Sequence, residues 1–231
     1  MRVTVPSHAR SVNETTEARA DAVEKPLLRG VSHELAAGVA LAAWIALGHV
    51  AQGPRARLAA NVYGASLFTL FAVSALYHRA TWAPRARLLV RRLDHAAIFF
   101  LIAGTYTPFC LLLGGARGDA LLALVWAGAA LGVVREIVWV RAPKALVAAL
   151  YVALGWVILP VLPALRALLG GGGIARLAAG GVLYSAGAVV YAMRRPDPFP
   201  RVFGYHEVFH ALTIAAAGLH FAVAARAALA L

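Results

Sequence analysis

Residues 205–228 read YHEVFHALTIAAAGLHFAVAARAA, a histidine pair four positions apart followed by a long apolar run. At 3.6 residues per turn, positions i and i+4 share one face of a helix, so the rings of His206 and His210 can reach one metal ion. Apart from His220, no ionisable residue interrupts 211–225, which indicates a membrane-embedded helix. Imidazoles at the edge of such a helix are costly and indicate a functional site, with hydrogen-bonded packing as the alternative.

The composition of the whole chain is that of an integral membrane protein. Of its 231 residues, 61% are hydrophobic, and the mean hydropathy of +0.74 is far above that of a soluble domain. The net charge of +12 would suggest a nucleic-acid partner in a soluble protein. Here the arginines fall in short loops between apolar runs, where they act as topology signals and headgroup contacts. We therefore expect a multi-pass membrane protein that binds no nucleic acid.

Seven apolar runs of about 20 residues predict seven transmembrane helices, because that length spans about 30 Å of hydrocarbon. The runs lie near residues 33–52, 57–78, 93–114, 118–139, 144–165, 174–193 and 206–228. The predicted fold class is an all-α membrane protein, a seven-transmembrane helix bundle that occupies residues 25–231 as one domain. Residues 1–24 are polar and without periodicity, and they predict a disordered cytoplasmic tail. Pro108 predicts a bend in the third span, and Pro160 and Pro163 predict one in the fifth. The glycine run 170–173 predicts a turn before the sixth span.

The orientation of the bundle follows from its basic residues, which are more frequent on the cytoplasmic side of membrane proteins. The tail and the even-numbered loops carry Lys25, Arg29, Arg79, Arg85, Arg87, Arg91, Arg92, Arg141, Lys144, Arg194, Arg195 and Arg201. The opposite side carries Arg55, Arg57, Arg117, Arg166, Arg176 and Arg226. This distribution predicts a cytoplasmic N-terminus and, after seven spans, a C-terminus outside the cell.

Polar residues at the ends of three predicted spans fall at one depth, near the cytoplasmic face. They are Ser74 and His78 of the second span, Asp94 and His95 of the third, and His206 and His210 of the seventh. Three protein ligands and one open position are the pattern of a catalytic zinc site. Imidazole ligands also favour zinc over magnesium or calcium. The sequence therefore predicts zinc at His78, His206 and His210. The alternative is a helix-end cluster that meets only headgroups and water.

The neighbouring polar residues have predicted roles around that metal. Asp94 is predicted either to ligate zinc or to orient and deprotonate a water bound to it, since zinc lowers the pKa of such a water to about 7. Ser74 shares a face with His78 and is predicted to hydrogen-bond a neighbouring site group or to hold a substrate carbonyl. His95 is predicted to be interfacial. His220 lies about 15 Å deeper in the membrane, at 1.5 Å per residue, and cannot share the metal.

The same histidine pair also matches a protease pattern. His206-Glu207-x-x-His210 is formally the HExxH of zinc proteases, in which the glutamate is the general base. The pattern is short, no third ligand follows at metzincin spacing, and Glu207 would compete with Asp94 for the role of base. A protease is therefore the weaker hypothesis.

Five short motifs follow one another along the chain. They are Pro26-x-x-Arg29-Gly30-x-x-His33, Ser74-x-x-x-His78, Leu93-Asp94, Gly104-Thr105-Tyr106-Thr107-Pro108, and His206-x-x-x-His210 with His220. In this combination, over about residues 25–228, the chain resembles the hemolysin III family, the bacterial branch of the progestin and adipoQ receptor superfamily, which also resembles alkaline ceramidases.

This resemblance has implications for the fold, the site and the activity. It implies a seven-helix bundle in the bacterial cell membrane with the N-terminus inside. It also implies zinc at His78, His206 and His210, with Asp94 and Ser74 as the matching polar residues beside it. Receptor relatives are thought to have ceramidase-like hydrolytic activity, and bacterial members are implicated in membrane-lipid homeostasis.

Three functional hypotheses follow. The first is a zinc-dependent hydrolase that cleaves an amide or ester bond in a membrane lipid, which enters sideways between helices. The second is a non-catalytic sensor of membrane state, in which zinc fixes the second, third and seventh helices together. The third is a pore-forming hemolysin, although no ring of charges recurs through the membrane depth. Membrane lipids are the predicted partners.

Overall fold

The computed structural model describes residues 26–139 and 142–231. The predicted tail at residues 1–24 lies outside the described residues, and so do Lys25 and Arg141 of the charge argument.

The secondary structure of the described residues is helical, which confirms the predicted all-α class. In chain order the elements are α1 (Val31–Val50), α2 (Gly53–Arg79), α3 (Pro84–Leu113), α4 (Gly115–Val138), α5 (Lys144–Gly155), a 3-10 turn (Leu159–Val161), α6 (Leu162–Met193) and α7 (Tyr205–Leu229). Helix α3 begins well before the predicted third span, because Pro84 suits a first helical turn and the basic residues after it extend the helix beyond the apolar run.

Six helical segments of the described chain are long and apolar enough to cross a membrane. The predicted fifth and sixth spans, 144–165 and 174–193, both fall within one of them, the 50-residue segment Lys144–Met193. Length and composition therefore support six candidate spans and do not separate a seventh.

The segment Lys144–Met193 folds back on itself at Gly170. The backbone there has φ 73° and ψ 169°, a conformation that residues with a side chain rarely adopt. Across this turn, the Lys144 ammonium lies 5.1 Å from the centre of the Tyr191 ring. The indole N–H of Trp156 donates to the Ser185 hydroxyl at 3.0 Å. Since these contacts join positions at similar distances along the chain from Gly170, the two halves run side by side in opposite directions.

Helix α5 is interrupted after Gly155, where Pro160 lies in the 3-10 turn Leu159–Val161. The bend predicted in the fifth span is thus confirmed, whereas Pro108 lies inside helix α3, which continues to Leu113. Tyr106 of α3 satisfies the freed backbone groups. Its hydroxyl donates to the Gly155 carbonyl at 2.7 Å and accepts from the Ile158 amide at 2.9 Å. Such a partner is needed because lipid offers no hydrogen bonds to a broken helix.

Helix α3 is the centre of the bundle and packs against α2, α4, α5, α6 and α7. Its buried side chains include Phe99 and Phe109, which anchor it among its neighbours. This arrangement brings the last two turns of α2, the first half of α3 and the first two turns of α7 to one cavity. The predicted site residues lie on these three segments.

Candidate metal centre

The first turn of α7 is fixed by Glu207, which is 2% exposed. One carboxylate oxygen accepts from the Gly204 amide at 2.9 Å, which satisfies the backbone donor of the residue before the helix. The other accepts from Arg29 Nε at 2.5 Å. The segment before α1 also runs beside the loop before α7, where the Leu27 amide donates to the Arg201 carbonyl at 3.0 Å. These contacts fix the helix turn that carries the two histidines.

Glu207→Gln is expected to lower the free energy of unfolding by about 3 kcal/mol, because it leaves the largely buried Arg29 without its counter-charge. The matched control is Glu34→Gln, which breaks the exposed Glu34–Arg79 pair and should cost less than about 1 kcal/mol. Unfolding in mixed detergent micelles would measure both. The further change Arg29→Met in the Glu207→Gln background should recover part of the loss. Equal effects of Glu207→Gln and Glu34→Gln would contradict the assignment of a buried pair.

Three imidazoles meet between α2 and α7. His78 lies in the last turn of α2, and His206 and His210 lie in the first two turns of α7. The Nε2 atoms of His78 and His206 are 3.1 Å apart. One ring nitrogen from each of the three residues lies within 4.8 Å of the others. The side chains predicted from spacing are therefore brought together by the fold.

The donor set fits a zinc ion. Two nitrogens at 2.0–2.1 Å from one tetrahedral zinc lie about 3.4 Å apart, close to the separation of His78 and His206. The Nδ1 atom of His210 is buried and makes no hydrogen bond among the described residues. A buried ring nitrogen without a partner is costly, and coordination of a cation by His210 would relieve the cost.

A fourth imidazole, that of His33, completes the cluster and was assigned no role from the sequence. It stacks on the His210 ring with centroids 3.7 Å apart and planes 7° apart. Its Nδ1 atom is hydrogen-bonded to the Ser74 hydroxyl at 2.9 Å. His33 thus fixes the plane of one predicted ligand and the position of the predicted serine. The one sequence signal for it was its place in the first of the five motifs.

The close approach of α1 to His78 depends on Gly30, which precedes α1 with φ +80°. A Cβ atom at this position would lie 2.7 Å from the Cβ of His78 and 3.2 Å from Cγ of Arg79. Glycine is therefore required both by the left-handed backbone and by the space. Its small size lets the start of α1, with His33, reach the cluster.

Asp94 and Ser74 lie in the same cavity as the three histidines. The cavity has a volume of about 710 Å³, within the range of sites for small ligands. The side chains of Asp94 and Ser74 interact with each other across the α2–α3 contact. The fold thus places a carboxyl group and a hydroxyl group beside the imidazole cluster.

His95 faces the protein interior, in contrast to the predicted interfacial position. Its Nδ1 atom lies 3.5 Å from a Glu136 carboxylate oxygen of α4. Arg135 and the Tyr151 hydroxyl also bind Glu136, the latter at 3.2 Å. The predicted interfacial position of His95 is therefore wrong, because its partner Glu136 lies on another helix and has no signal in the sequence around His95.

His220 is separate from the cluster, as its depth predicts. Its Nε2 donates to the Leu177 carbonyl of α6 at 3.1 Å. The ring also packs edge-on against Tyr184, with centroids 5.4 Å apart. His220 lines the far end of the same cavity.

The geometry of Glu207 argues against the protease hypothesis. Its two oxygens are engaged by the Gly204 amide and by Arg29. A general base must lie within hydrogen-bond reach of the proton it abstracts, and Glu207 is not among the residues that line the cavity. Glu207 instead serves as a helix cap and ion-pair partner.

Comparison of the sequence with known proteins shows the family to which this chain belongs. The sequence model of the family described as Haemolysin-III related matches residues 22–221. Hemolysin-3 of Bacillus cereus is 37% identical over 165 residues, which cover 71% of this chain and 72% of the relative. The hemolysin-3 homolog of Bacillus subtilis (strain 168) is 34% identical over 162 residues, which cover 70% and 73%.

A more distant similarity reaches animal proteins. The monocyte to macrophage differentiation factor of Homo sapiens is 25% identical over 170 residues, which cover 71% of this chain and 68% of the relative. This match supports the wider superfamily predicted from the motifs. Together with the six candidate spans, the comparisons establish that the chain is a multi-pass membrane protein of the haemolysin-III-related family.

Proposed function

We propose that this protein is a zinc-dependent hydrolase that cleaves an amide or ester bond of a membrane lipid. The observation that carries the proposal is the cluster of His78, His206 and His210, with Asp94 beside it in a cavity of about 710 Å³. Ionisable side chains inside a membrane-spanning bundle cost free energy, and such residues usually mark a functional site. The proposed biological role is membrane-lipid homeostasis.

In this proposal the three histidines would hold the metal. When bound, the metal would polarise the substrate carbonyl as a Lewis acid and would lower the pKa of a water molecule. Asp94 accepts the proton of the attacking water and passes it to the leaving group. Ser74 donates a hydrogen bond to the substrate carbonyl. His33 keeps the His210 ring and the Ser74 hydroxyl in position.

The test is turnover by purified protein. Ceramide and acylated phospholipids are offered in mixed micelles, and release of fatty acid is measured before and after zinc is removed with a chelator. Turnover is expected to stop on chelation and to return when zinc is restored. The hydrolase proposal fails if metal-loaded protein releases no fatty acid from any of these lipids.

A second candidate function is supported by where the ligands lie. The three histidines come from α2 and α7, and His33 of α1 stacks on the His210 ring. A bound metal would therefore fasten helices from both ends of the sequence. In a non-catalytic sensor of membrane state, that fastening is the whole function of the site, and Asp94 is dispensable.

We also infer that the bundle crosses the membrane seven times with its N-terminus in the cytoplasm. A continuous helix of 50 residues would be about 75 Å long, more than twice the hydrocarbon thickness. The turn at Gly170 and the Lys144–Tyr191 contact favour two crossings in opposite directions. The basic residues near one end of the bundle favour placing that end inside the cell.

Single cysteines introduced into a Cys110→Ser background are expected to report this topology. With seven crossings, Leu231→Cys should react with a membrane-impermeant maleimide in intact cells. Trp82→Cys, in the loop between α2 and α3, should react only after the membrane is permeabilised. Protection of both positions in intact cells would indicate six crossings instead.

A further inference from the structure

We infer that one part of the cavity, the region lined by Arg29, Arg91 and Lys144, which we call its mouth, binds the phosphate of an anionic ligand. We also infer that the lipid hydrolysed at the histidine cluster is a phospholipid. This inference deepens the proposed function, and its statement about the substrate rests on that function. The binding site itself stands on separate residues and can be tested without turnover.

Five basic side chains line this cavity. They are Arg29 before α1, Arg87 and Arg91 of α3, Arg135 of α4 and Lys144 of α5. Lys144 lies close enough to Arg29 and Arg91 for their like charges to interact, and Arg194 adds a fourth charge nearby. The fold thus brings together cations that sequence order keeps far apart.

The two acidic residues that line the cavity, Asp94 and Glu136, do not balance this charge. Glu136 pairs with Arg135 and lies 3.5 Å from His95, and Glu207, which is not among the lining residues, pairs with Arg29. Asp94 interacts with Arg91. Among the described residues Lys144 forms no ion pair with a carboxylate, and its contact is with the Tyr191 ring at 5.1 Å.

Five cations against two carboxylates leave an excess of positive charge in the cavity, and like charges repel most strongly where water is scarce. An anion that contacts several of these cations at once would stabilise them. The donor set suits phosphate, because a guanidinium binds two oxygens together and an ammonium adds a point charge. Tyr205 also lines this end of the cavity, where its hydroxyl can donate a further hydrogen bond.

The mouth lies next to the histidine cluster. Tyr191 spans the two, since its ring centre is 5.1 Å from Lys144 Nζ and 5.7 Å from the centre of the His206 ring. Arg29 binds Glu207, the residue after His206. In a glycerophospholipid the ester carbonyl groups lie a few bonds from the phosphate. If the phosphate binds at the mouth, these carbonyl groups therefore lie near the histidine cluster.

The same phosphate chemistry could come from a lipid headgroup or from a soluble phosphate, and the experiment separates them. Calorimetry on the detergent-purified full chain would measure binding of dihexanoyl phosphatidic acid, dihexanoyl phosphatidylcholine and inorganic phosphate. We expect phosphatidic acid to bind at least about tenfold more tightly than phosphatidylcholine. If the natural ligand is a lipid, inorganic phosphate should displace bound phosphatidic acid only at high concentration. If the site takes soluble phosphate, inorganic phosphate should displace phosphatidic acid readily.

The variants compare cavity cations with surface cations. Arg91→Gln with Lys144→Gln should weaken binding of phosphatidic acid by at least about tenfold. The control Arg85→Gln with Arg201→Gln removes two exposed charges and should change binding less than about twofold. Lys144→Arg, which keeps the charge, should retain binding, and this single variant tests the site if the double variant does not fold.

Equal loss in the cavity and surface variants would overturn the inference, because it would indicate general attraction to a basic surface. So would equal binding of phosphatidic acid and phosphatidylcholine by the unmodified protein. If this binding pattern holds and no lipid is hydrolysed, the hydrolase proposal fails while the phosphate site stands.

Discussion

Replacing both His206 and His210 by alanine is expected to reduce bound zinc from about one ion per chain to almost none, since two of three protein ligands are removed. Elemental analysis of detergent-purified protein would measure this. Zinc must be supplied during purification, because a site of three ligands can lose its metal to chelating buffers. The change should also abolish any lipid hydrolysis.

The control for this variant is His49→Ala. His49 is an exposed histidine near the end of α1, remote from the cluster, and its loss should leave the zinc content unchanged. A thermal unfolding curve of each variant would show that the protein is folded. Absence of zinc from the unmodified protein as well would return the four imidazoles to packing roles and remove the hydrolase proposal.

Asp94→Asn is expected to lower turnover by about 10²-fold or more while zinc remains bound, because the loss of a general base typically costs 10²–10⁴. The amide has nearly the same shape as the carboxyl group and cannot accept the proton. Fatty-acid release and zinc content would be measured on the same preparation. If zinc fell together with activity, Asp94 would be a ligand rather than a base.

The matched control is Asp119→Asn, which changes an exposed aspartate on α4 and should leave turnover unchanged. This experiment also decides between the two candidate functions. In a non-catalytic sensor, Asp94→Asn should leave the cellular phenotype intact, whereas loss of the histidines should remove it.

The parts of the site that sequence could predict are those that depend on local geometry. The pairing of His206 with His210, and of Ser74 with His78, follows from helical spacing within one segment. That these pairs meet Asp94 follows from the depth at which each apolar run begins or ends. Both arguments use only the period of the helix and the thickness of the membrane.

The parts that sequence could not predict depend on contacts between distant segments. His33 has no periodic partner, and its stacking on His210 appears only when α1 packs against α7. His95 gains its partner Glu136 from α4, so the helix that carries His95 gives no indication of it. The turn at Gly170, in contrast, could be predicted, because it lies in the glycine run 170–173 between the predicted spans 144–165 and 174–193.

The Tyr106 hydroxyl that completes the interrupted helix α5 also bears on the order of assembly. Tyr106 precedes Ile158 by 52 positions, and membrane chains are inserted from the N-terminus as they are made. When residues 156–161 reach the bilayer, their hydrogen-bond partner is already there on α3. The interrupted segment therefore does not have to cross lipid as an isolated helix. It can instead enter the membrane by packing against the helices that are already inserted. Entry of the C-terminal half into the membrane therefore depends on the N-terminal half.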